Sequence, residues 1–381
     1  MKILHLIYTH GVAGAEKYLL DLLPGLKEYG INCDVICVCP HAHQNKVQQY
    51  CDRLTEKGIT TQLIPTSRVN ILSVAKKINQ YCQTNDIRII HSHLFNSDVI
   101  AVAVKLFFNK KMLLLSTKHG YKESYFVNHV GSIGKIQYNL YYFLTKFVIR
   151  KIDKNITISK AVADLYYNLK LIPQKMPYIH HGISVDKKMN KEEGVVYSKF
   201  SPQLIIVGRL TKIKGHTYLF AAMPKIIEQF PNVQLLVMGE GEEHIALEKQ
   251  AAILGIQKHI HFMGFQNNPY TCIEQSDIIV LPSLNEAFGL VYIEAFALKT
   301  PVVAFDVQAC NEIIVHNETG ILVAAKNSDG LAGSIIFLLQ NPEERKRLAE
   351  NGYRQYLSYY NTPRMIKDTA GWYKSITEDA G

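Results

Sequence analysis

Short apolar segments with the period of β-strands alternate with helical patterns throughout this chain of 381 residues. Strands that alternate with helices favour parallel sheets that are covered by helices on both faces. The same order of segments recurs in the second half, and 381 residues are too many for one ordinary hydrophobic core. The sequence therefore predicts an α/β protein with two doubly wound parallel-sheet domains.

The predicted strands of the first half are residues 2–9, 32–39, 87–91, 112–117, 155–158 and 178–180. Those of the second half are residues 203–207, 233–238, 259–262, 278–281, 302–305 and 320–323. The polar segment 182–201 between the halves predicts a linker, and residues 363–376 predict a final helix. We expect a first domain over residues 1–185, a second over 186–361 and a closing helical segment over 362–381.

Charge is divided unevenly between the halves. Residues 1–190 contain 25 Lys and Arg against 12 Asp and Glu, whereas residues 191–381 contain 17 against 21. A basic half indicates a polyanionic partner, either membrane phosphate or nucleic acid. Within it, residues 121–154 interleave aromatic and basic side chains. This pattern suits an anionic bilayer surface, single-stranded nucleic acid, or a buried helix whose lysines extend to solvent.

Neither a secretory signal nor a spanning helix is predicted. Residues 1–7 are interrupted by His5 and fit an opening buried strand better. The apolar stretches 99–108 and 140–149 are too short to span a bilayer and contain Lys105 and Lys146. Seven cysteines without framework spacing indicate core packing in a reducing compartment. We therefore expect a cytoplasmic protein that can bind peripherally to the inner face of the cell membrane.

Two glutamates, Glu286 and Glu294, lie on either side of a loop-to-helix junction. The loop follows the predicted strand 278–281, so it lies at the carboxyl end of a parallel strand, where open α/β sheets bind ligands. A helix start at Leu290 offers unpaired N–H groups and a positive dipole end, which suit a phosphate. A carboxylate on either side can accept hydrogen bonds from the sugars that flank a diphosphate. This arrangement predicts a nucleotide-sugar site.

The chain here resembles glycosyltransferase family 4, retaining enzymes of the GT-B fold whose signature is a glutamate pair separated by seven residues. The resemblance implies two Rossmann-like domains facing a cleft, the first binding the acceptor and the second binding the nucleotide sugar. It also implies that the closing helix crosses back to the first domain. Glu294 would bind the ribose and Glu286 the transferred sugar. The residues of the junction assigned to the donor are Phe288, Gly289, Leu290 and Val291.

The loop 208–215 follows the first predicted strand of the second half, and the resembling family uses an Arg and a Lys there. Transfer leaves negative charge on the departing nucleoside diphosphate, which either a metal or fixed cationic side chains must stabilise. The chain contains no Asp-x-Asp pair, so a carboxylate-bound Mg²⁺ is not indicated. We therefore predict that Arg209 and Lys214 neutralise the diphosphate, and that neither a metal nor a cofactor is required.

Further matches to the family follow other predicted strands. Gly14, in the turn 11–16, is expected to let the backbone approach the donor closely. Gly239 and Gly264 are expected to border the nucleotide. His119 is expected to orient the donor sugar during a front-face attack that the departing phosphate assists. Glu16 in the same turn is either a site acid or a first-turn acid favoured by the helix dipole.

Two features depart from the family or remain open. His91 and His93 share one face of a strand, which is compatible with a metal pair, an acceptor contact or plain strand-end histidines. Zinc normally requires three or four ligands, so we predict no metal site. Residues 308–310, which end in Cys310, replace paired glycines that are usual in the family.

The sequence thus predicts a retaining glycosyltransferase that moves a sugar from a UDP- or GDP-linked donor to a glycan or lipid-linked acceptor. Cell-surface polysaccharide or glycolipid assembly is the expected setting. Residues 121–154 are expected to contact an anionic membrane, and no nucleic-acid partner is expected. The alternatives are a sugar-nucleotide 2-epimerase of the same architecture and a non-catalytic polyanion-binding protein. An epimerase would alter the donor without an acceptor, whereas a binding protein would ignore nucleoside diphosphates.

Overall fold

The computed structural model describes residues 1–67, 70–121, 140–185, 202–266 and 268–378. The chain divides into two compact units, Met1–Gly182 with Asn361–Gly381, and Ile183–Tyr360. Each unit contains a six-stranded parallel sheet flanked by helices, which confirms the predicted fold class. Most of the predicted linker, and residues 122–139 of the aromatic and basic segment, fall outside the described residues.

The strands of the first unit are β1 (Lys2–Tyr8), β2 (Asn32–Pro40), β3 (Thr60–Thr66), β4 (Ile89–His93), β5 (Leu113–Lys118) and β6 (Lys154–Thr157). Its helices are α1 (Gly14–Leu26), α2 (Gln44–Glu56), α3 (Ile71–Thr84), α4 (Phe95–Phe107), α5 (Leu140–Ile149) and α6 (Lys160–Asn168), joined by the last helix of the chain (Thr362–Glu378). The strand order is β3-β2-β1-β4-β5-β6, and every pair is parallel.

The strands of the second unit are β7 (Gln203–Val207), β8 (Gln234–Met238), β9 (Ile260–Gly264), β10 (Ile278–Leu281), β11 (Val302–Asp306) and β12 (Ile321–Ala324). Its helices are α7 (His216–Gln229), α8 (His244–Ile253), α9 (Tyr270–Gln275), α10 (Leu290–Ala297), α11 (Cys310–Ile313), α12 (Ser328–Gln340) and α13 (Pro342–Gln355). Shorter helical turns are Lys27–Tyr29, His41–His43, Lys212–Lys214, Gln257–His259 and a π-helical turn, Tyr356–Tyr360.

The second sheet has the order β12-β11-β10-β7-β8-β9, the same arrangement as the first when strands are counted within each unit. In such sheets the crossovers leave in opposite directions from the two central strands, which opens a crevice at their carboxyl ends. These positions are β1 beside β4 in the first unit and β7 beside β10 in the second. The predicted site residues of each unit are therefore expected beside these strands.

One strand is not predicted by the sequence pattern, and one predicted strand is wrong. β3 carries polar residues and Pro65, which weaken the pattern, but β3 is an edge strand and a proline is tolerated on its unpaired side. The predicted strand at residues 178–180 forms only a single bridge, between Tyr178 and Thr157.

The central strands are enclosed on both faces, as is typical of parallel sheets. Every residue of β10 is buried, and β1 is buried from Ile3 to Tyr8. In the second unit the core joins β7, β8, β10 and β11 to α7 and α12. These rigid strands fix the loops at their carboxyl ends. Among the residues described, no helix combines the length and the apolar character needed to cross a bilayer.

Candidate functional site

The loops that leave β7 and β10 meet at the switch point of the second unit. β7 pairs directly with β10, and the amide of Leu284, just beyond β10, donates to the carbonyl of Ile213 at 2.7 Å. Gly215 has φ +69°, and a Cβ atom added there would overlap the carbonyl oxygen of Pro282. A glycine is therefore required for the two loops to approach this closely. The contact brings Lys214 and Glu286, which are 72 positions apart in sequence, into one site.

Lys214 and Glu286 form the centre of this site. The Nζ of Lys214 lies 2.6 Å from Oε1 of Glu286, and the two side chains are 22% and 14% exposed. The hydroxyl of Ser283 donates to the same carboxylate oxygen at 2.9 Å. The carboxylate is thus held by a cation and a neutral donor while remaining partly exposed. Two of the predicted catalytic residues are in direct contact.

Tyr292 packs beside the loop that carries this carboxylate. Its ring occupies the space where a Cβ of Gly289 would lie, and Gly289 has φ +91°. Its hydroxyl contacts the thiol of Cys310 and lies within hydrogen-bonding reach of Ser283. Burial raises the pKa of Tyr292 well above its usual range and raises the pKa of Cys310 to about 12, so both groups remain protonated donors. Cys310, where the sequence departs from the family, therefore contacts the tyrosine that packs beside this loop.

The helix start predicted beside the glutamates is present. α10 begins at Leu290, and no side chain in the described part of the chain caps it. The first N–H groups of a helix have no intrahelical partner, so those of Leu290 and Val291 lie at the positive end of the helix dipole without a bond inside the helix. Glu294 is buried one turn further along. An oxyanion at this position would meet donors and a favourable dipole.

The glycines predicted to border a nucleotide lie on the neighbouring strands. A Cβ on Gly239 would overlap the carbonyl oxygen of Gly208, and the amide of Gly239 donates to the carbonyl of Gly264 at 2.8 Å. The loops after β7, β8 and β9 therefore pack backbone against backbone. Arg209, next to Gly208, is exposed, and so is Phe265, at 65%.

In the first unit the predicted turn precedes α1, which begins at Gly14. The carboxylate of Glu16 accepts a hydrogen bond from the amide of Ala13 at 2.9 Å, and Glu16 is 3% exposed. Burial raises its pKa. Of the two interpretations left open by the sequence, the geometry supports Glu16 as the residue that closes the first turn of the helix.

Four histidines lie together on one face of the first sheet. His5 is on β1, His91 and His93 are on β4, and His119 follows β5. The Nδ1 of His5 lies 3.0 Å from Nε2 of His93, and the Nδ1 of His93 lies 3.1 Å from Nε2 of His119. The pairing of β1 with β4 and of β4 with β5 places these residues side by side, although they are far apart in sequence.

A metal ion does not suit this cluster. Ring nitrogens of His5, His91 and His93 lie within 4.8 Å of one another. A shared ion would have to lie in the plane of every ring, yet His93 stacks on His5 and on His91 with interplanar angles of 16° and 25°. The ring nitrogens of His91 already contact the hydroxyls of Tyr373 and Thr117. His91 and His93 are fully buried, which also argues against a direct acceptor contact.

A buried charged network, not predicted from the sequence, underlies His119. The ammonium of Lys118 lies 2.6 Å from Oδ2 of Asp98, and both side chains are under 5% exposed. The other carboxylate oxygen accepts from the hydroxyls of Ser92 and Ser116 at 2.6 and 2.7 Å. Burial lowers the pKa of Lys118. The pair is fully hydrogen-bonded, which is the condition under which a buried ion pair is tolerated.

Acid should destabilise the first unit through its buried histidines. Burial lowers the pKa of His5 to about 3 and that of His93 well below its usual range. An unfolded histidine titrates near 6.5. The unfolded chain therefore binds protons that the folded unit does not, and stability falls as pH decreases from about 6.5 towards about 3, by up to about 1.4 kcal/mol per pH unit for each such histidine.

The single tryptophan, Trp372, lies 5.7 Å from the ring of His91 and reports on this unit. Urea unfolding followed by its fluorescence should show a steeper loss of stability on acidification in the unaltered protein than in His5→Phe. The exposed His41 offers the matched control, because His41→Phe removes a histidine outside the cluster. Equal pH slopes in His5→Phe and the unaltered protein would contradict the expectation.

Comparison with known proteins agrees with this geometry. Residues 12–187 match the family model described as Glycosyltransferase Family 4, and residues 190–355 match the model described as Glycosyl transferases group 1. The chain belongs to glycosyltransferase family 4. The predicted membership of this retaining, GT-B family is thereby confirmed.

Two known proteins have sequences similar to that of this family 4 chain. An uncharacterized glycosyltransferase of Methanocaldococcus jannaschii is 32% identical over 238 residues, which are 59% of this chain and 61% of that relative. A phosphatidyl-myo-inositol mannosyltransferase of Mycobacterium leprae is 31% identical over 211 residues, which are 54% of this chain and 56% of that relative. The chain thus matches less than two thirds of the length of either relative.

A solved structure shares the fold of the family 4 chain over almost its whole length. The crystal structure of Anabaena HepE in complex with UDP-glucose aligns with a TM-score of 0.78 at 18% identity, and covers 98% of this chain and 100% of HepE. At this identity the likeness shows the fold.

Most residues that the family 4 signature predicts are brought together within one unit or the other. Around the β7 and β10 loops these are Arg209, Lys214, Gly239, Gly264, Glu286, Phe288, Gly289, Leu290, Val291 and Glu294. Gly14 and His119 belong to the first unit. Sequence reasoning missed the contacts of Ser283 with Glu286, of Tyr292 with Cys310 and of His5 with His93. Only Ser283 had a local signal, because it directly follows a buried strand.

Proposed function

We propose that this family 4 chain transfers a glycosyl group, with retention, from a UDP- or GDP-linked sugar to a glycan or lipid-linked acceptor. The observation that carries the proposal is the Lys214–Glu286 contact. It lies at a switch point beside the start of α10, which no side chain of the described residues caps. A cation, a carboxylate and helix N–H groups together provide what a sugar diphosphate requires: neutralisation of the phosphates and an acceptor for sugar hydroxyls.

In the proposed mechanism, Lys214 exchanges its contact with Glu286 for a contact with the diphosphate. Glu286, still held by Ser283, then accepts from hydroxyls of the transferred sugar, and Glu294 accepts from the ribose. Arg209 and the N–H groups of Gly289–Val291 complete the stabilisation of the leaving group. Negative charge develops on the diphosphate as the glycosidic bond breaks, and preorganised cations and N–H donors stabilise that charge.

The same residues support transfer without a metal. Two basic side chains and a helix start supply the charge stabilisation that a bound cation would otherwise provide. Transfer in the presence of a chelator should therefore proceed at about the rate measured with added Mg²⁺ or Mn²⁺. Loss of turnover on chelation, with recovery on adding either ion, would reject this part of the proposal.

Two related proteins suggest the donor and the class of acceptor. HepE was solved with UDP-glucose, and the mycobacterial relative is named for a phosphatidyl-myo-inositol acceptor. Thermal unfolding against a panel of UDP- and GDP-sugars tests the donor, because a ligand that binds the folded state raises the midpoint. We expect one nucleotide series to raise the midpoint. No shift with any nucleotide sugar, or a donor altered without an acceptor as an epimerase would do, would contradict a transferase.

We further propose that α5 binds an anionic membrane surface. Its outward face exposes four large apolar side chains, Leu140, Phe143, Leu144 and Phe147, at 45% to 72%. Basic residues flank this face, and the ammonium of Lys151 lies 5.8 Å from the ring of Phe147. Exposed aromatics beside cations suit the headgroup region of anionic lipid. A membrane position would bring the enzyme to lipid-linked acceptors.

Co-sedimentation with phosphatidylserine-containing vesicles tests this surface. Phe143→Ser combined with Phe147→Ser should lower the bound fraction about tenfold or more, because two aromatic side chains no longer bury in the interface. Phe337→Ser, which removes a 47% exposed phenylalanine in the other unit, should not change binding. Binding to single-stranded nucleic acid in preference to vesicles would reject the membrane surface.

A further inference from the structure

Three imidazoles of the first unit form a continuous chain that ends at His119. His5 Nδ1 faces His93 Nε2 at 3.0 Å, and His93 Nδ1 faces His119 Nε2 at 3.1 Å. His5 and His93 have no exposed surface. His119 is only partly buried, and the ring of Tyr18 packs edge-on against it with centroids 5.1 Å apart. The row of three imidazoles therefore connects the fully buried His5 to His119, which is partly exposed.

Each of these three imidazoles carries a single N–H proton near neutral pH. Burial lowers the pKa of His5 and of His119 to about 3, and the ammonium of Lys118 adds to the effect at His119. The pKa of His93 is lowered well below its usual range for the same reason. A neutral imidazole has one N–H donor and one acceptor nitrogen. Two N···N contacts between three such rings therefore allow only two arrangements, with all protons directed towards His119 or all directed away.

The buried end of the chain decides between these arrangements. Nε2 of His5 is buried and has no hydrogen-bond partner among the residues described. If the protons pointed away from His119, this buried atom would carry an N–H without a hydrogen-bond acceptor. Buried N–H groups without a partner are rarer in proteins than unsatisfied acceptors. The proton of His5 is thus placed on Nδ1, where it is donated to His93.

We propose that His93, directed by His5, is a positioning residue that holds His119 as the tautomer protonated on Nδ1. His93 donates its Nδ1 proton to Nε2 of His119, so the proton of His119 must be on the opposite ring nitrogen. The catalytic consequence rests on the proposed function. His119 then offers a neutral N–H donor to an oxygen of the donor sugar, and does not act as a general base through Nε2.

The tautomers can be read directly. Two-bond ¹H–¹⁵N spectra of protein with ¹⁵N-labelled histidine distinguish a ring protonated on Nδ1 from one protonated on Nε2, and signals are assigned by their loss in His5→Gln, His93→Asn and His119→Gln. The expected result is protonation of all three rings on Nδ1 in the unaltered protein without donor. A His119 ring protonated on Nε2 would overturn the proposal.

Substitutions of His93 on β4 test whether this residue fixes the tautomer of His119. His93→Phe removes the donor to His119, so a second tautomer of His119 should appear and kcat should fall about tenfold, the effect of one misplaced neutral hydrogen bond. The affinity for free UDP or GDP, which lacks the sugar, should not change. His93→Asn places an amide N–H where Nδ1 lies and should restore both the tautomer and most of kcat.

His91 provides the matched control. It is on the same strand as His93, is equally buried and stacks on it. Its ring nitrogens, however, contact Thr117 and Tyr373 and none of the three hydrogen-bonded imidazoles. His91→Phe should leave the tautomer of His119 unchanged, and an unchanged tautomer in His93→Phe would refute the coupling.

Because the spectra require no donor, a protein that transfers no sugar would reject the proposed function while the tautomer test stands on its own.

Discussion

Lys214→Ala is expected to lower the rate of sugar transfer by ~10²-fold or more, which corresponds to a barrier increase of about 2.7 kcal/mol. In the resting protein this ammonium lies against Glu286, and in the proposed mechanism it moves to the diphosphate. Its loss removes a fixed cation from a partly enclosed site where charge develops. Since the interaction strengthens as the leaving group departs, the effect should be on kcat more than on KM for the donor.

Lys212→Ala is the matched control for this variant. Lys212 is two residues away in the same loop, but its side chain is exposed and forms no ion pair in the structure as described. Its removal should change the rate by less than about threefold. Steady-state kinetics on both variants, together with Glu286→Ala, test the assignment. Near-normal turnover in Lys214→Ala and Glu286→Ala would reject the proposed roles of both residues.

Gly215→Ala is expected to destabilise the second unit by on the order of 3 kcal/mol and to abolish most of the activity. Gly215 has φ +69°, and the added Cβ would overlap the carbonyl oxygen of Pro282 and lie 2.9 Å from its carbonyl carbon. Both partners are backbone atoms at the end of a buried strand, so neither can move cheaply. Separating the loops would also draw Lys214 away from Glu286.

Gly255→Ala isolates the conformational part of this cost. Gly255 has φ +68° in the same unit, but no atom lies within 4 Å of the added Cβ. Only the left-handed backbone is then strained, at about 1 kcal/mol. Urea unfolding followed by circular dichroism measures both variants. If the two variants were equally stable, the collision with Pro282 would not be the reason that glycine is required.

The parts of the site that were predictable are those that local sequence specifies. A loop that follows a buried strand lies at the carboxyl edge of a parallel sheet, so Lys214 and Glu286 could be placed on the same edge before the structure was known. Their direct contact was not predictable, because it depends on β7 being the neighbour of β10. They are 72 positions apart in sequence, and no local pattern specifies strand order.

Other contacts were missed for the same reason. Tyr292 has the pattern of an ordinary buried helical residue, and its contact with Cys310 depends on how α10 and α11 pack. His5 appeared only as an interruption of an apolar strand, and its bond to His93 spans 88 residues. β3 was missed because an edge strand tolerates Pro65 and polar residues that a central strand would exclude.

The first unit is assembled from two separated stretches of the chain, Met1–Gly182 and Asn361–Gly381, whereas the second is continuous. During synthesis on the ribosome, the unit that begins first must therefore wait for the last residues before Tyr373 can reach His91. The continuous unit can finish earlier, a reversal of the usual amino-terminal-first order. Ribosome-bound chains that end at residue 360 and continue into an unstructured linker long enough to clear the exit tunnel should protect the second unit from protease and leave the first digestible.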